Sequence, residues 1–411
     1  MLDSPLDNTA QRELRRTPLR LLALLIAMTG VGSLSLNILT PAIPSLVTKF
    51  GAEPANVQLT VSLYIMGLAV AQLVFGPLSD KFGRRLVVMT GLALATVAST
   101  FAIFAGSIAS LVIWRVVQSL GASTGQTIGR AIIRDLYERD RAASIIGSVT
   151  SVVVLMPMLA PLLGGILDTL FGWEAIFIFS AALSGCVLAW AMLALPETRV
   201  ARADRNRFFA DFRALATNPR FFGYALCAGL GSGPFFSFLG GAPHVVVSML
   251  GRSSAEYGLW FFIPSFGFMA GNFMVARLAR RLGIDALIWW GIALTIVGAL
   301  LNIALYLAAP GWEMVTIFLP GVVVGVGNGL LLPTAVAGAV SIRPQVAGTA
   351  SGMTGFIQMG VGATAAQLGG HVVAGASSAA PMLLVMLGFG VATAVAVFAL
   401  VTRHSPASGR I

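Results

Sequence analysis

Two strings in this chain combine residue types and spacing that could do chemistry. The first is Leu111-Val112-Ile113-Trp114-Arg115-Val116-Val117-Gln118-Ser119-Leu120-Gly121, in which one arginine stands among apolar residues. An arginine at the centre of a membrane helix costs roughly 2.5–3.5 kcal/mol on insertion scales, so it should face a protein interior or water. With Trp114 beside it, the alternative is snorkelling to the outer interface. Gln118, one helical turn on, could extend a water chain from the guanidinium. The second string is Gly76-Pro77-Leu78-Ser79-Asp80-Lys81-Phe82-Gly83-Arg84-Arg85. Gly76 permits close packing and Gly83 a tight turn. Asp80, at the head of a short loop, can cap the next helix or pair with a basic neighbour. Lys81, Arg84 and Arg85 suit a membrane anchor, and the arginines can also pair with carboxylates of another loop. Such a clasp holds one conformation and releases in another.

Composition says what must position these groups. Of 411 residues, 57% are apolar and 10% charged, and the mean hydropathy is +0.88. Soluble domains carry roughly 25% charged residues, so most of this chain's surface is expected to meet lipid. The net charge of +10 raises nucleic acid as a partner. Against that, 24 of the 26 basic residues are arginines in short clusters between apolar runs, the pattern of juxtamembrane loops, and no nucleic-acid partner is expected. Cys186 and Cys227 fall inside apolar runs and read as packing residues.

About 20 mostly apolar residues make a spanning helix, and that rule predicts twelve spans. The first six cover about 19–47, 57–78, 86–106, 109–131, 143–168 and 173–195; the second six cover about 220–246, 256–278, 284–307, 312–338, 346–373 and 379–402. The run from Leu19 is too long for a signal h-region and reads as the first span. The expected organisation is a tail at 1–18, a six-helix bundle at 19–196, a charged linker at 197–219, a second bundle at 220–402 and a tail at 403–411. Alternating the faces, 23 of the 26 basic residues fall on one side, with Lys49 and Arg252 on the other and Arg115 within a span. The positive-inside rule makes that side cytoplasmic and places both termini there. Gly121, Gly125 and Gly129 in span four recur as Gly321, Gly325 and Gly329 in span ten. Small residues every fourth position let helices approach closely in lipid. The offset of 200 residues points to an internal duplication, two six-helix halves around a midplane cavity.

The string from Gly76 to Arg85 resembles the signature loop of the major facilitator superfamily, G-x-x-x-D-[RK]-x-G-R-[RK], with every fixed position present. The resemblance implies an all-α membrane protein of that fold, with twelve transmembrane helices in two pseudo-symmetric bundles. It also implies that Asp80, Arg84 and Arg85 help stabilise an outward-facing state, with Asp135 of Arg134-Asp135 as ionic partner. Arg115-x-x-Gln118-x-x-Gly121 is similar to the family's second motif, where the arginine is associated with proton coupling. Gly147, Pro157, Ala160, Pro161, Gly164 and Gly165 in span five resemble the antiporter motif, with Met156 and Ala160 replacing two of its glycines. Pro157, Pro161, Gly164 and Gly165 would then form a hinge. Asn37-Ile38-Leu39-Thr40-Pro41-Ala42-Ile43-Pro44 resembles the D-x-x-x-P-x-x-P pattern of the twelve-span drug:proton antiporters, closest to the bicyclomycin and chloramphenicol branch. Asn272 with Arg277-Leu278, and Leu195-Pro196-Glu197-Thr198, are similar to that branch too.

One departure concerns coupling. The branch's span-one aspartate is Asn37 here, and none of the sixteen acidic residues falls near a span centre. A buried acid is the usual device for moving protons, because desolvation brings its pKa into the working range. Three routes remain: His244 in span seven titrates near neutrality, Arg115 organises water through Gln118, or transport runs without protons. A cavity without carboxylates disfavours strongly cationic substrates, which need a counter-charge. Asn37, Tyr64, Gln118, Gln126, His244, Asn328 and Gln358 are candidates to line it. The function expected is export of small, neutral amphipathic drugs across the plasma membrane in exchange for protons, by a monomer. The alternative is a metabolite exporter or proton-independent facilitator. An ATP-driven pump would need a G-x-x-x-x-G-K-[ST] string, which the sequence does not contain. His244, His371 and His404 supply no metal or catalytic cluster, so no enzyme, metal or cofactor is expected.

Overall fold

Long apolar segments leave the backbone one way to satisfy its polar groups in lipid, the α-helix. The computed structural model describes residues 19–153, 155–198, 207–343 and 346–403. The expected tail at 1–18, and that at 403–411 apart from Arg403, lie outside these residues. Among the described residues there are twelve crossings, numbered in chain order as spans one to twelve. The first six are Leu19–Phe50, Pro54–Phe82, Arg84–Ile103, Ile108–Leu136, a broken span of Arg139–Val153 and Met156–Phe171, and Trp173–Ala194. The second six are Pro219–Met249, a span kinked at Phe261 from Ser254–Trp260 to Phe262–Leu282, Ile284–Ala308, Glu313–Ser341, Ala347–Ala374 and Ala380–Thr402. The linker contains a further helix, Arg207–Ala216.

Ten of the twelve are apolar enough to be spans by composition alone; spans four and eleven are the two that are not. Both carry Gln, Ser, Thr and Gly along their length, and both are packed inside, where lipid does not test their hydropathy. The lipid-facing side of the other spans is plain: Phe104, Phe171, Leu193 and Leu307 are among many large apolar residues left exposed. Exposed apolar surface on this scale marks a membrane boundary.

The two halves repeat one arrangement. Span four packs on spans one, two and three, and span ten packs on seven, eight and nine in the same relation. Span three meets six as nine meets twelve. The glycine columns sit at these seams: a Cβ on Gly125 would run into the Met28 carbonyl, and one on Gly329 into the Phe268 carbonyl. Between halves the contacts are also paired, span two with eleven and span five with eight.

The span ends define two faces. One carries the junctions 82–84, 136–139, 282–284 and 341–347 and the basic clusters, and is called the basic face; the other is called the opposite face. The apolar core divides accordingly. Toward the basic face there are two separate clusters, one of residues between Leu24 and Leu195, the other of residues between Leu215 and Val401. Toward the opposite face one cluster crosses both halves, from Ile38, Ile65 and Phe177 to Phe238, Phe318 and Met382. The halves are therefore welded at one face and separable at the other.

Candidate functional site

The second and third spans are joined by a single residue, Gly83, whose φ of 102° and ψ of 148° lie in a region open almost only to glycine. This sharp junction turns Arg84 back against the bundle. Its guanidinium pairs with Asp80 at 2.6 Å and with Asp135 of span four at 3.0 Å, and donates to Ser79 Oγ at 2.5 Å. Arg84 and Asp135 are almost fully buried, whereas Asp80 is exposed. Arg85 donates to the Met192 carbonyl at 2.7 Å.

Glu197, just after span six, completes the clasp. Its carboxylate accepts from the backbone N–H of Arg84 at 2.9 Å and of Arg85 at 3.2 Å. That caps the first turn of span three with a negative charge, where the helix dipole favours one. A Cβ on Gly83 would lie 2.5 Å from Glu197 Oε2. The glycine is needed both for its angle and for the space this carboxylate fills. Sequence reasoning named Glu197 only within a branch-like string, because a cap contributed from 113 residues away leaves no local pattern.

Arg115 does not snorkel. It is 1% exposed, with Nε donating to the Thr60 carbonyl at 3.1 Å and Nη1 to the Ser35 carbonyl at 3.0 Å and Gln118 Oε1 at 2.6 Å. Its guanidinium carbon lies 4.0 Å from the centre of the Tyr64 ring, a cation–π contact worth about 2 kcal/mol when desolvated. Gln118 donates onward to Ser99 Oγ at 2.7 Å, and Tyr64 to the Gly32 carbonyl at 3.3 Å. The charge is held by neutral acceptors alone. Spans one to four are thereby tied at the midplane through Arg115, Gln118 and Tyr64.

The remaining candidates separate. Asn37 and Asn328 are buried, each with an amide oxygen lacking a partner; Asn37 Nδ2 donates to the Ser33 carbonyl at 2.8 Å. Gln358 is partly buried on span eleven. His244 opens a wide-turned segment, His244–Met249, near the opposite face. Its side chain makes no hydrogen bond or ion pair among the described residues, and it takes no part in the hydrogen bonds that hold the Arg115 group. Gln126 lines a cavity that the sequence did not reveal. This cavity, of about 320 Å³, lies at the basic face between spans two, four and eleven, with Gln72, Asp80, Arg84, Arg130, Thr349 and Phe212 among its walls.

The opposite face is shut by backbone contact. Span five breaks between Val153 and Met156, with Pro157 opening its second helix and Pro161 inside it. Gly164 and Gly165 then press on the carbonyls of Ile38 and Ser254. Asp168, one turn on, accepts through one oxygen from Ser45 and from Ser254 of the other half, each at 2.7 Å. Ser62 and Gln367 make a further cross-half bond at 2.7 Å. The glycine pair thus faces spans one and eight, and Asp168 is one of the acids that the sequence places away from any span centre.

The model of the Major Facilitator Superfamily matches residues 25–366. This chain belongs to the Major Facilitator Superfamily. Its relatives include multidrug resistance protein D of Escherichia coli (strain K12), 29% identical over 84% of this chain and 86% of that protein. A bicyclomycin resistance protein homolog of Haemophilus influenzae is 26% identical over 90% and 93%. A chloramphenicol resistance protein of Pseudomonas aeruginosa is 29% identical over 78% and 76%. Among solved structures, a D-xylose–proton symporter superposes with a TM-score of 0.74 at 14% identity, covering 93% of this chain and 98% of that one. A bacterial homolog of the human lysosomal transporter Spinster, inward-facing and occupied, gives 0.73 at 16% identity, covering 93% and 96%. A superfamily member of this kind is a multi-pass membrane transporter, and not an enzyme.

Proposed function

We propose that this superfamily member exports small amphipathic drugs across the inner membrane by alternating access, in exchange for protons. In this reading the basic face and both termini are cytoplasmic, and the chain acts as a monomer. The observation that carries it is the divided core: one apolar cluster joins the halves at the opposite face, while two separate clusters leave them free at the basic face. Rocking about that arrangement is what alternating access needs. The relatives named for multidrug, bicyclomycin and chloramphenicol resistance support drugs as cargo. The midplane polar groups are Arg115, Gln118, Tyr64, Asn37 and Asn328, with no carboxylate among them. An interior without a carboxylate suits neutral compounds of chloramphenicol type over strongly cationic ones.

Proton exchange runs through Arg115 and Gln118 with bound water, or through His244. The structural basis for a second reading is Asn37, a group that cannot titrate, at the end of the first helix of span one. A proton-independent facilitator or metabolite exporter would need no acid there. The test is a susceptibility screen against neutral antibiotics in cells expressing the chain, with and without a protonophore and with Arg115→Ala as control. Protection that uncoupling abolishes is expected. Protection that survives uncoupling favours the facilitator, and no protection in any arm removes drug export.

A further inference from the structure

Span four carries two arginines far from its ends' solvent. Arg115 holds three side-chain hydrogen bonds in the bundle; Arg130, about 22 Å further along the axis, does not. Arg130 is partly buried, six residues before the helix ends at Leu136. It makes no hydrogen bond or ion pair with any described residue. A positive-inside anchor should sit among headgroups, but Arg130 lines the 320 Å³ cavity at the basic face. The two carboxylates in that wall, Asp80 and Asp135, are both committed to Arg84. Among the described residues, the Arg130 side chain thus has no ion pair, and Arg134 adds a further positive charge to the same wall.

Two further features point to a ligand of mixed character. Arg130 and Gln126 also line a second, smaller cavity of about 40 Å³, walled by Leu25, Ile133, Ile146 and Val149 of spans one, four and five. One guanidinium therefore stands at the border of a polar chamber and an apolar crevice. Across the chamber, Gly348 and Thr349 belong to the first turn of the 28-residue helix of span eleven, whose N-cap Val346 provides no side-chain cap. That helix end adds partial positive charge to the same space.

From this arrangement we propose that Arg130 captures the oxyanionic group of a small amphiphile at the basic face, with Gln126 beside it and the apolar crevice taking the adjoining carbon skeleton. The ligand class is a carboxylate, phosphonate or phosphate monoester joined to a compact apolar group. This rests on the exporter reading and deepens it, extending the cargo from neutral amphiphiles to those carrying one negative group. The mouth selects for that group before the midplane is reached.

Binding to the purified full chain in lipid nanodiscs tests it, with phenylphosphonate as probe and inorganic phosphate and benzyl alcohol as partial mimics. Phenylphosphonate is expected to bind more tightly than either mimic. Arg130→Gln should weaken it at least 10-fold, and Arg130→Lys should restore most of the loss. Unchanged affinity in Arg130→Gln overturns the proposal. So does benzyl alcohol matching phenylphosphonate, which would make the site apolar only. Inorganic phosphate matching it would make the crevice irrelevant and the site a general phosphate site. Should Arg130→Gln not fold, Thr349→Cys in a chain with Cys186→Ser gives a second measure: phenylphosphonate must slow alkylation at 349, and no protection overturns the proposal. Export by the unaltered chain in the antibiotic screen separates the two failures. Export with no role for Arg130 sinks only this inference, whereas no export at all sinks the reading beneath it.

Discussion

Residues 82–84 and 282–284 are the same junction in the two halves, 200 positions apart, and they could hardly be dressed more differently. Both join consecutive spans through one glycine, Gly83 at φ 102° and Gly283 at φ 79°. Around Gly83 stand Asp80, Arg84, Asp135 and Glu197, all within one hydrogen-bonded clasp. Around Gly283 a Cβ would meet nothing within 4 Å. Asp285, in the position matching Arg85, is exposed and among the described residues accepts from Tyr224 Oη, at 2.5 Å. Duplication kept the backbone turn and the glycine columns in both halves. Among the described residues, the ion-paired clasp stands at the N-terminal junction and not at the C-terminal one.

The largest effect expected from this asymmetry is at Arg84. Asp135 sits beside it with the pair almost fully buried, and removing one partner of a buried pair costs about 3–5 kcal/mol. Arg84→Ala should therefore lower thermal stability in detergent markedly and abolish export, while Asp135→Asn, which leaves a neutral acceptor, should do less. A fully active, stable Arg84→Ala chain would show that the clasp is ornament and the asymmetry without consequence.

Next comes the glycine itself. An L-residue at either glycine adopts a backbone region that costs on the order of 1–3 kcal/mol, so Gly83→Ala and Gly283→Ala share that loss. Only Gly83→Ala also displaces the Glu197 carboxylate, which as a cap is worth about 0.5–2 kcal/mol. The difference between the two variants should shrink when Glu197→Ala is present in both. If the difference persists in that background, Glu197 is not what distinguishes the junctions.

How much of this could be read beforehand depends on whether the signal is local. The spans were legible because lipid demands about 20 apolar residues in a row, and the Asp80–Arg84 pair because both partners lie within one loop. Spans four and eleven met the same rule by a smaller margin, since their interior positions admit Gln, Ser, Thr and Gly. Arg115 was legible as a costly group. Its backbone partners were not, because the carbonyls of Ser35 and Thr60 belong to every residue type alike. Arg130 was counted with the anchoring arginines, and only the cavity around it distinguishes it from them. Asp168 read as a span-end acid because its partner Ser254 is 86 residues away in the other half.

Asp168 gives the third test, one that couples the halves instead of contrasting them. Its bonds to Ser45 and Ser254 are charge-assisted, and such bonds contribute about 1.5–3 kcal/mol. Losing the cross-half one by Ser254→Ala should loosen the opposite face without touching the clasp. The expected readout is faster labelling of a cysteine placed at Ala255 by a membrane-impermeant reagent added on the side of the opposite face, with thermal stability lowered by less than in Arg84→Ala. Labelling no faster than in the Ser254 chain would mean that the glycine contacts alone close that face.

The smallest effect belongs to the bare junction. Asp285→Asn keeps an acceptor for Tyr224 and removes a charge from an exposed position, where substitutions usually change stability by about 0.5 kcal/mol or less. Export and thermal stability should stay near those of the unaltered chain. A loss approaching that of Arg84→Ala would mean that the C-terminal junction carries control of its own, through a partner this closed state of the opposite face does not bring to it. The two halves would then share the switch, and the contrast between residues 83 and 283 would describe one conformation and not the division of labour between bundles.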